Sequence, residues 1–329
     1  MKAIIYKEYG SAEVLRLAEV ELPETKRDEL LIKVMAVEAT KADCEMRSFT
    51  FAVSWFWLPL RIAFGITKPK KTILGSYFSG VIEAVGDDVS KFSKGDEVFG
   101  VSGMAMGAYG EYMCIPVKNT LVKKPDNIGF AEAAAVPLGG LNALHFMRRA
   151  QIQPGHKILI NGAGGSIGLF AVQIAKAMGA EVTAVDSGIK ETMLRDIGAT
   201  HFIDYHKDNF ADSQEKYHVI FDMVAQSSYS AAIRSLKPEG CYLIGNPRMS
   251  DMLRSVLSTK LTDKTVLFAF AQEKQEELMT LKNMLEQGKI KAVVDKVYAP
   301  EQAADAHRRV ETEQRIGSVV LSFIAEAGR

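Results

Sequence analysis

The residues best suited to chemistry form a glycine-rich loop, NGAGGSIG, at residues 161–168. The loop follows an apolar run at 157–160 and opens a helical pattern at 167–178. At such a junction the helix N-terminus offers unpaired N–H groups and a positive dipole end, so a pyrophosphate can bind where no side chain blocks its approach. The candidate phosphate-binding residues are Gly162, Gly164, Gly165, Ser166, Ile167 and Gly168.

The spacing of these glycines is G-x-x-G-x-x-G, which departs slightly from the G-x-G-x-x-G of dinucleotide-binding loops. A tight strand-to-helix connection is therefore an alternative explanation. The surroundings favour a dinucleotide, because a second apolar strand at 181–185 follows the helix and is succeeded by Asp186. We predict that the loop binds the pyrophosphate of a dinucleotide.

The loop lies in a region where strands and helices alternate, which is typical of an α/β fold with a doubly wound parallel sheet. The predicted strands are 157–161, 181–185, 201–204, 218–222, 241–245 and 265–270, and the predicted helices are 167–178, 189–197 and 228–236. Just upstream, the helical pattern at 131–150 is expected to break at Pro137 and at Gly139–Gly140. The first 115 residues instead show short apolar runs between turns, which predicts a β-rich region.

Composition limits the possible partners and location. The 329 residues favour two domains, and Lys+Arg and Asp+Glu both total 40, so no net field attracts nucleic acid or an anionic membrane. The three cysteines, Cys44, Cys114 and Cys241, lie far apart without a CxxC pair, which favours a reducing cytoplasm. The apolar stretch 49–66 contains arginine, proline and serine, so we expect a buried or pocket-lining segment rather than a membrane span.

Several segments, in order along the chain, carry a family resemblance. They are MKAIIYKEYG at the start, ILGSYFSGVIEAVGDDVSKFSKGDEVFG, AEAAAVPLGGLNAL, the glycine loop and IGATHFIDY. Over essentially its whole length the chain resembles the zinc-free, quinone oxidoreductase-like branch of the medium-chain dehydrogenase/reductase superfamily. The resemblance implies a GroES-like β-barrel catalytic domain at 1–123 and 272–329, a Rossmann domain at 124–271, a cofactor in the cleft between them, and a homodimer.

The resemblance also implies a site without metal. Metal-dependent members place Cys at the position of Thr40 and His-Glu at the positions of Ser76 and Tyr77. Catalytic zinc needs three N, S or O ligands at one point, and this chain lacks those residues there. Without a Lewis acid an unactivated alcohol is hard to acidify, but an electron-poor acceptor can still take a hydride. Tyr77 either donates the proton that the acceptor needs after it has taken the hydride, or only fills the space that the metal occupies in those members. Thr40 matches a residue beside the nicotinamide ribose, and Asp43 matches an aspartate that orients its neighbours.

Two signals conflict over the dinucleotide. Asp186 ends the second strand, where a carboxylate binds both ribose hydroxyls and repels a 2′-phosphate, unless its side chain caps the following turn. Ser187, Lys190 and Tyr205 match positions that hold the 2′-phosphate in NADPH-using relatives, although Lys190 is equally a candidate solvated residue and Tyr205 a cover for the adenine. We expect NADPH, with NADH as the alternative. Further cofactor contacts are expected from Val224, Gly245, Phe268 and Phe270.

The leading hypothesis is a cytoplasmic, zinc-independent NADPH-dependent reductase of quinones or α,β-unsaturated carbonyls, whose substrate is small, apolar and electron-poor. The alternatives are an NAD(P)-dependent alcohol dehydrogenase of the same superfamily and a dinucleotide-responsive binding protein without relevant turnover. No nucleic acid or membrane partner is expected. The aromatic segment 49–64 is either a lid over the substrate or an interface, and the edge strand near 266–270 is a candidate dimer seam.

Overall fold

The computed structural model describes residues 1–51, 57–268 and 272–324. The strands are β1 (Lys2–Ile5), β2 (Arg16–Glu19), β3 (Glu29–Ala39), β4 (Tyr77–Val85), β5 (Glu97–Val101), β6 (Tyr112–Pro116), β7 (Leu121–Lys123), β8 (Lys157–Asn161), β9 (Glu181–Asp186), β10 (His201–Asp204), β11 (Tyr217–Asp222), β12 (Leu236–Ile244), β13 (Thr265–Phe268), β14 (Val294–Tyr298) and β15 (Ser318–Ser322). The helices are α1 (Lys41–Ser48), α2 (Trp57–Phe64), α3 (Phe130–Ala134), α4 (Pro137–Arg149), α5 (Ser166–Ala177), α6 (Glu191–Asp196), α7 (Tyr229–Arg234), α8 (Met249–Leu261), α9 (Gln275–Glu286) and α10 (Ala303–Glu311).

The central region forms a parallel sheet of six described strands in the order β10-β9-β8-β11-β12-β13. This is the 3-2-1-4-5-6 order of doubly wound dinucleotide-binding sheets. The strand order reverses between β8 and β11, and ligands of such sheets bind beyond the carboxyl ends of the strands at that point. The predicted α/β fold class, with its Rossmann sheet, is confirmed.

Strand β8 shows why this sequence forms an inner strand. Its apolar residues are fully buried on both faces, because successive side chains point to opposite sides of the sheet and helices cover both. Ile158 and Ile160 pack in the core that contains α4 and α5, whereas Leu159 packs in the opposite core with Tyr229 of α7. The strand therefore holds the glycine loop on a rigid support.

A second sheet of seven described strands is built mainly from the first part of the chain, in the order β14-β15-β3-β4-β5-β7 with β6 pairing β3. The last described strand, β15, returns to pair antiparallel with β3, placing Val319 opposite Ala39 and Leu321 opposite Val37. The C-terminal segment thus completes the N-terminal sheet. The predicted domain bounds, 1–123 with 272–329 and 124–271, stay a prediction.

The expected break in the helical pattern at 131–150 is partly wrong. Pro137 is the first residue of α4, where a missing N–H is tolerated, and the helix then runs without interruption through both glycines. A Cβ at Gly139 would lie 2.2 Å from the carbonyl oxygen of Ser166, so this glycine lets α4 approach the start of α5. Close packing against neighbouring helices explains glycines that looked like helix breakers.

Helix α8 was not expected, since its apolar residues do not face a core. Its buried residues are Asp251 and Ser255, whereas Leu253, Leu257 and Leu261 are exposed.

The stretch 49–66 also departs from expectation. Its ends, Phe49 and Phe64, are buried, but most apolar side chains of α2 lie on the surface, and residues 52–56 lie outside the described ranges. No helix in the described ranges is long and apolar enough to cross a membrane.

Candidate active site

The glycine loop joins the end of β8 to α5. Gly162 adopts a left-handed backbone (φ 81°), and the N–H groups of Gly162 and Ala163 donate to the carbonyl oxygen of Val185, 3.0 and 3.2 Å away. A Cβ at Gly168 would lie 2.3 Å from the Gly162 carbonyl oxygen, so α5 can pack on the loop only with glycine there. A Cβ at Gly165 would meet nothing nearer than 3.6 Å, which leaves the approach to the helix N-terminus open.

Asp186 is fully engaged with protein donors beside this loop. Its carboxylate accepts from the N–H of Gly164 at 2.7 Å and from the N–H of Ser187 at 2.8 Å, and Lys190 Nζ lies 2.9 Å away. The side chains of Asp186 and Lys190 are both buried. Asp186 therefore caps the loop and the following turn, as in the second of the two roles considered for it. Tyr205 is exposed nearby, and its N–H donates to the Asp186 carbonyl oxygen at 3.3 Å.

The carboxyl ends of the neighbouring strands border the loop. A Cβ at Gly162 would lie 3.5 Å from Cγ2 of Val224, which is exposed after β11. Gly245 follows β12, and a Cβ there would collide with Met223. Phe268 ends β13 and is partly exposed, while the predicted contact Phe270 lies outside the described residues.

Asp222 ties these strand ends together. Its buried carboxylate accepts from Asn161 Nδ2, from the Tyr242 hydroxyl and from the Val224 N–H, each at 3.0 Å. Burial raises the pKa of Asp222, and the hydrogen bonds oppose that rise. The last residue of β8 and the first residues after β11 are thereby held in one arrangement.

Thr40 and Asp43 form a capping box at the start of α1. The Thr40 hydroxyl donates to Asp43 Oδ2 at 2.6 Å and accepts from the Asp43 N–H at 3.1 Å. Asp43 Oδ1 accepts from the N–H of Gly75 at 3.1 Å. Desolvation raises the pKa of buried Asp43, and its hydrogen bonds with Thr40 and Gly75 oppose the rise. Asp43 thus fixes the segment that leads to Tyr77, which fits an orienting role.

Tyr77 begins β4 and packs against the core of the parallel sheet. Its hydroxyl donates to Glu273 Oε1 at 3.4 Å. Desolvation raises the pKa of Tyr77 above its usual 10, and the nearby Glu273 carboxylate raises it further. The pKa of Glu273 is also raised by desolvation, against the effect of the hydrogen bond from Tyr77. The Tyr77 phenol therefore stays protonated, and its hydrogen bond connects it to an exposed carboxyl group.

A buried polar contact joins the two sheets at the start of α5. The Ser166 hydroxyl donates to Glu38 Oε1 at 2.8 Å and accepts from Arg315 Nη1 at 3.1 Å. Glu38 is fully buried on β3, two residues before Thr40, and desolvation raises its pKa to about 7. Glu38 Oε2 and Arg315 Nε have no hydrogen-bond partner in the described structure. The start of α5, which follows the glycine loop, is therefore in contact with the strand that leads to Thr40.

Comparisons with known proteins match both halves of the chain. Residues 26–126 match the alcohol dehydrogenase GroES-like domain, and residues 197–321 match a zinc-binding dehydrogenase domain. The 2-methylene-furan-3-one reductase of Solanum lycopersicum is 31% identical, and the chloroplastic NADPH-dependent alkenal/one oxidoreductase of Arabidopsis thaliana is 32% identical. Each alignment covers 98% of this chain and 79% of the relative. The quinone oxidoreductase structure from Coxiella burnetii superposes with a TM-score of 0.86 at 26% identity, covering 98% of this chain and 99% of that one.

The chain belongs to the medium-chain dehydrogenase/reductase superfamily, in its quinone oxidoreductase-like branch. The resemblance drawn from the sequence motifs is thus confirmed, and the protein is an oxidoreductase of this superfamily.

The zinc implied by one matching domain does not fit the residues of this superfamily member. Thr40, Ser76 and Tyr77 offer hydroxyls where catalytic zinc takes thiolate, imidazole or carboxylate ligands. The Thr40 hydroxyl is already bonded to Asp43, and the Ser76 hydroxyl donates to the Gly103 carbonyl oxygen at 3.1 Å. Within residues 1–51, 57–268 and 272–324, no group of three or more His, Cys, Asp or Glu side chains is placed to hold a metal ion.

Sequence reasoning missed several polar residues of this dehydrogenase/reductase site. They are Glu38, Asn161, Asp222, Glu273 and Arg315. Three carried a usable signal, since a charged or amide residue inside or at the end of an apolar strand must find a buried partner. Glu273 and Arg315 carried none, because only the tertiary fold brings them to Tyr77 and Ser166.

A buried cluster behind α1 also emerged only from the structure. Cys44 Sγ lies 3.4 Å from His307 Nδ1, and the Tyr109 hydroxyl lies 2.9 Å from His307 Nε2. Desolvation and the adjacent Arg47 guanidinium lower the pKa of His307 to about 3, and burial raises that of the Cys44 thiol. A neutral imidazole and a protonated thiol, both sealed from solvent, form a structural link between α1 and α10.

Proposed function

We propose that this protein transfers a hydride from NADPH to a quinone or an α,β-unsaturated carbonyl without the help of a metal. The observation that carries the proposal is the contact of Ser166 with Glu38, which joins the open glycine loop at the start of α5 to the strand that leads to Thr40. By resemblance, Thr40, Ser76 and Tyr77 stand where a metal-dependent relative has its ligands, and Asp43 is the orienting aspartate beside them. Named relatives that reduce alkenals, enones and quinones support the same reaction class.

NADPH fits the loop for two physical reasons. The open side of Gly165 exposes the N-terminal amides of α5 to a pyrophosphate. Asp186 is the residue that would oppose a 2′-phosphate, but the Lys190 ammonium at 2.9 Å offsets its charge. A relative named as NADPH-dependent supports this preference over NADH. We assign the 2′-phosphate to the neighbourhood of Ser187, Lys190 and Tyr205.

When bound, NADPH would supply a hydride to the electron-poor acceptor, which leaves an enolate from an enone or a hydroquinone anion from a quinone. Tyr77 is placed to give its phenolic proton to that anion. Glu273 lies 3.4 Å from the Tyr77 hydroxyl and is exposed, so it can return a proton from solvent to the phenolate. Thr40 and Asp43 act by holding α1 and Gly75, which position Tyr77.

The expected homodimer and cytoplasmic location belong to the same proposal. Strand β13 is one of the two outer strands of the described parallel sheet, and α8 beside it exposes a row of leucines, which supports pairing of two copies at this edge. The cysteines Cys44, Cys114 and Cys241 are all unpaired, which supports a reducing compartment.

The test is a paired titration of NADPH and NADH by fluorescence, followed by turnover of a panel of quinones and enones with and without a chelator. We expect tighter binding of NADPH and turnover that the chelator does not change. Loss of turnover with chelator and recovery with zinc, together with oxidation of simple alcohols, would favour the alcohol dehydrogenase alternative. Binding of NADPH without oxidation across the panel would favour the binding-protein alternative.

A further inference from the structure

Helix α2 and the loop after it present apolar side chains to solvent. Leu58, Ile62 and Ile66 are 61, 60 and 68% exposed, and Trp57 is also exposed. Leu58 and Ile62 lie four residues apart and therefore share one face of α2. Single exposed apolar residues are ordinary, but a contiguous group of them marks an interaction surface.

Two residues of α2 anchor the helix to the N-terminal region. The Arg61 guanidinium lies 4.4 Å from the ring centre of Tyr9 and 4.3 Å from that of Phe49. The Tyr9 hydroxyl donates to the Gly65 carbonyl oxygen at 2.9 Å, and Phe64 is buried. Arg61 and Phe64 thus hold α2 against the N-terminal region, while Leu58 and Ile62 stay exposed.

Positive charge surrounds this apolar group. Residues 46–82 contain five Lys or Arg and no Asp or Glu, although the whole chain has 40 of each sign. Lys68, Lys70 and Lys71 are exposed, and Lys70 Nζ donates to the Ile62 carbonyl oxygen at 3.1 Å. We call Trp57, Leu58, Ile62 and Ile66, with these three lysines, the α2 patch.

We propose that the α2 patch docks this protein on the surface of an anionic lipid bilayer. A short helix that exposes aliphatic side chains and half of Trp57, bordered by lysines, can bury its apolar side chains among acyl chains while the lysines meet phosphate headgroups. The expectation of no membrane partner rested on the net charge of the whole chain, which conceals this local excess. A second copy is a poorer occupant, because a two-fold contact would bring the same lysines together.

The α2 patch is linked to the candidate active site. Lys71 Nζ donates to the carbonyl oxygens of Met104 and Ala105, and the adjacent Gly103 accepts from the Ser76 hydroxyl beside Tyr77. Docking would therefore bring the cleft region towards the bilayer, where apolar quinones and enones concentrate. This link to substrate delivery rests on the proposed function, whereas the docking itself does not.

The experiment is co-sedimentation of the full chain with vesicles of phosphatidylcholine alone or mixed with phosphatidylglycerol, at low salt. We expect binding to the mixed vesicles only. The double variant Leu58→Ser/Ile62→Ser should bind at least about tenfold more weakly, and Lys68→Gln about fivefold more weakly. The matched controls are Leu22→Ser, a 52% exposed leucine among glutamates, and Lys118→Gln, and both should bind like the wild type.

Equal sedimentation of the wild type and the double variant, or no binding to mixed vesicles, would overturn the proposal. So would concentration-dependent self-association that the double variant abolishes, since it would identify a contact between copies. Thermal unfolding of each variant shows that folding is intact. Turnover of a water-soluble enone should be equal in wild type and double variant, so a failure of vesicle binding is distinguishable from a failure of the proposed function.

Discussion

The Lys190 ammonium lies 2.9 Å from the Asp186 carboxylate, and both side chains are buried beside the glycine loop. In the sequence these residues gave opposite signals, the aspartate for NADH and the lysine for NADPH. In the structure they form one ion pair whose carboxylate also accepts from Gly164 and Ser187. If the proposed function holds, we expect cofactor preference to depend on the net charge of this pair rather than on either residue alone.

The first prediction concerns Lys190→Ala. Loss of the Lys190 ammonium leaves the Asp186 charge unpaired next to the proposed ribose site, where it would repel a 2′-phosphate. We expect the Kd for NADPH to rise at least about tenfold, which corresponds to roughly 1.4 kcal/mol, and the Kd for NADH to change much less. Fluorescence titration with both cofactors measures the two constants.

The control for this change is Lys207→Ala, which removes a lysine that lies exposed beside Asp204. It should leave both dissociation constants within about twofold of the wild type, as expected for an exposed ion pair. The double variant Lys190→Ala/Asp186→Asn should recover much of the lost NADPH affinity, since the unpaired charge is gone. Equal losses of NADPH and NADH in Lys190→Ala would remove Lys190 from the 2′-phosphate site.

A second prediction tests whether Tyr77 donates a proton or only fills space. An enolate is far more basic than a hydroquinone anion, so its protonation depends more on a positioned acid. Tyr77→Phe should lower kcat for enones at least about a hundredfold and kcat for quinones by less than about tenfold. Steady-state kinetics on both acceptor classes gives the comparison, and similar losses for both would support the space-filling role.

Glu273→Gln should reproduce part of this effect. The amide can accept the Tyr77 hydrogen bond but cannot resupply the proton, so enone turnover should fall while the KM stays near that of the wild type. The deuterium solvent isotope effect on enone turnover should also increase, because proton return becomes slower. An unchanged kcat and isotope effect would show that solvent reaches Tyr77 without Glu273.

A third prediction follows from Glu38. Its pKa is about 7 in the folded protein, against 4.5 ordinarily, because it is buried. A raised carboxyl pKa means that the folded state binds more protons than the unfolded state, so stability falls as pH rises from about 4.5 to about 7. The shift corresponds to roughly 3 kcal/mol. Denaturant unfolding measures the free energy of unfolding across this pH range, and for Glu38→Gln we expect it not to fall as it does for the wild type. If both proteins lose stability equally with pH, Glu38 is not the titrating group.

The strands and helices around the glycine loop were predictable because their patterns are local. The run at 157–160 had to be an inner strand, and the alternation that follows it had to form a parallel sheet. The prediction of a helix break at Pro137 and Gly139 was partly wrong because local sequence does not show their roles. Pro137 starts α4, and Gly139 allows a close approach to Ser166. Helix α8 was missed since its apolar residues face outward, so burial could not reveal it.

The site was only partly predictable for a similar reason. The positions of Thr40, Asp43 and Tyr77 came from family motifs, but their partners did not. Asp43 reaches Gly75 across 32 residues and Tyr77 reaches Glu273 across 196, and nothing local in the sequence encodes either contact. The return of β15 to β3 similarly brings Arg315 to Ser166.

The last prediction separates the two roles of the glycines in the loop. A Cβ at Gly168 would lie 2.3 Å from the Gly162 carbonyl oxygen and 2.6 Å from Ala163 Cα, and neither backbone atom can move away without distorting the loop. Gly168→Ala should therefore destabilise the fold by roughly 1–3 kcal/mol, as overpacking does.

A Cβ at Gly165 meets only the Gly162 carbonyl oxygen, at 3.6 Å. Gly165→Ala should cost at most about 1 kcal/mol of stability, from the poorer helix cap, yet weaken NADPH binding at least about tenfold, because the methyl group stands where the pyrophosphate approaches. Unchanged NADPH affinity in a folded Gly165→Ala protein, measured by titration, would place the pyrophosphate away from the start of α5.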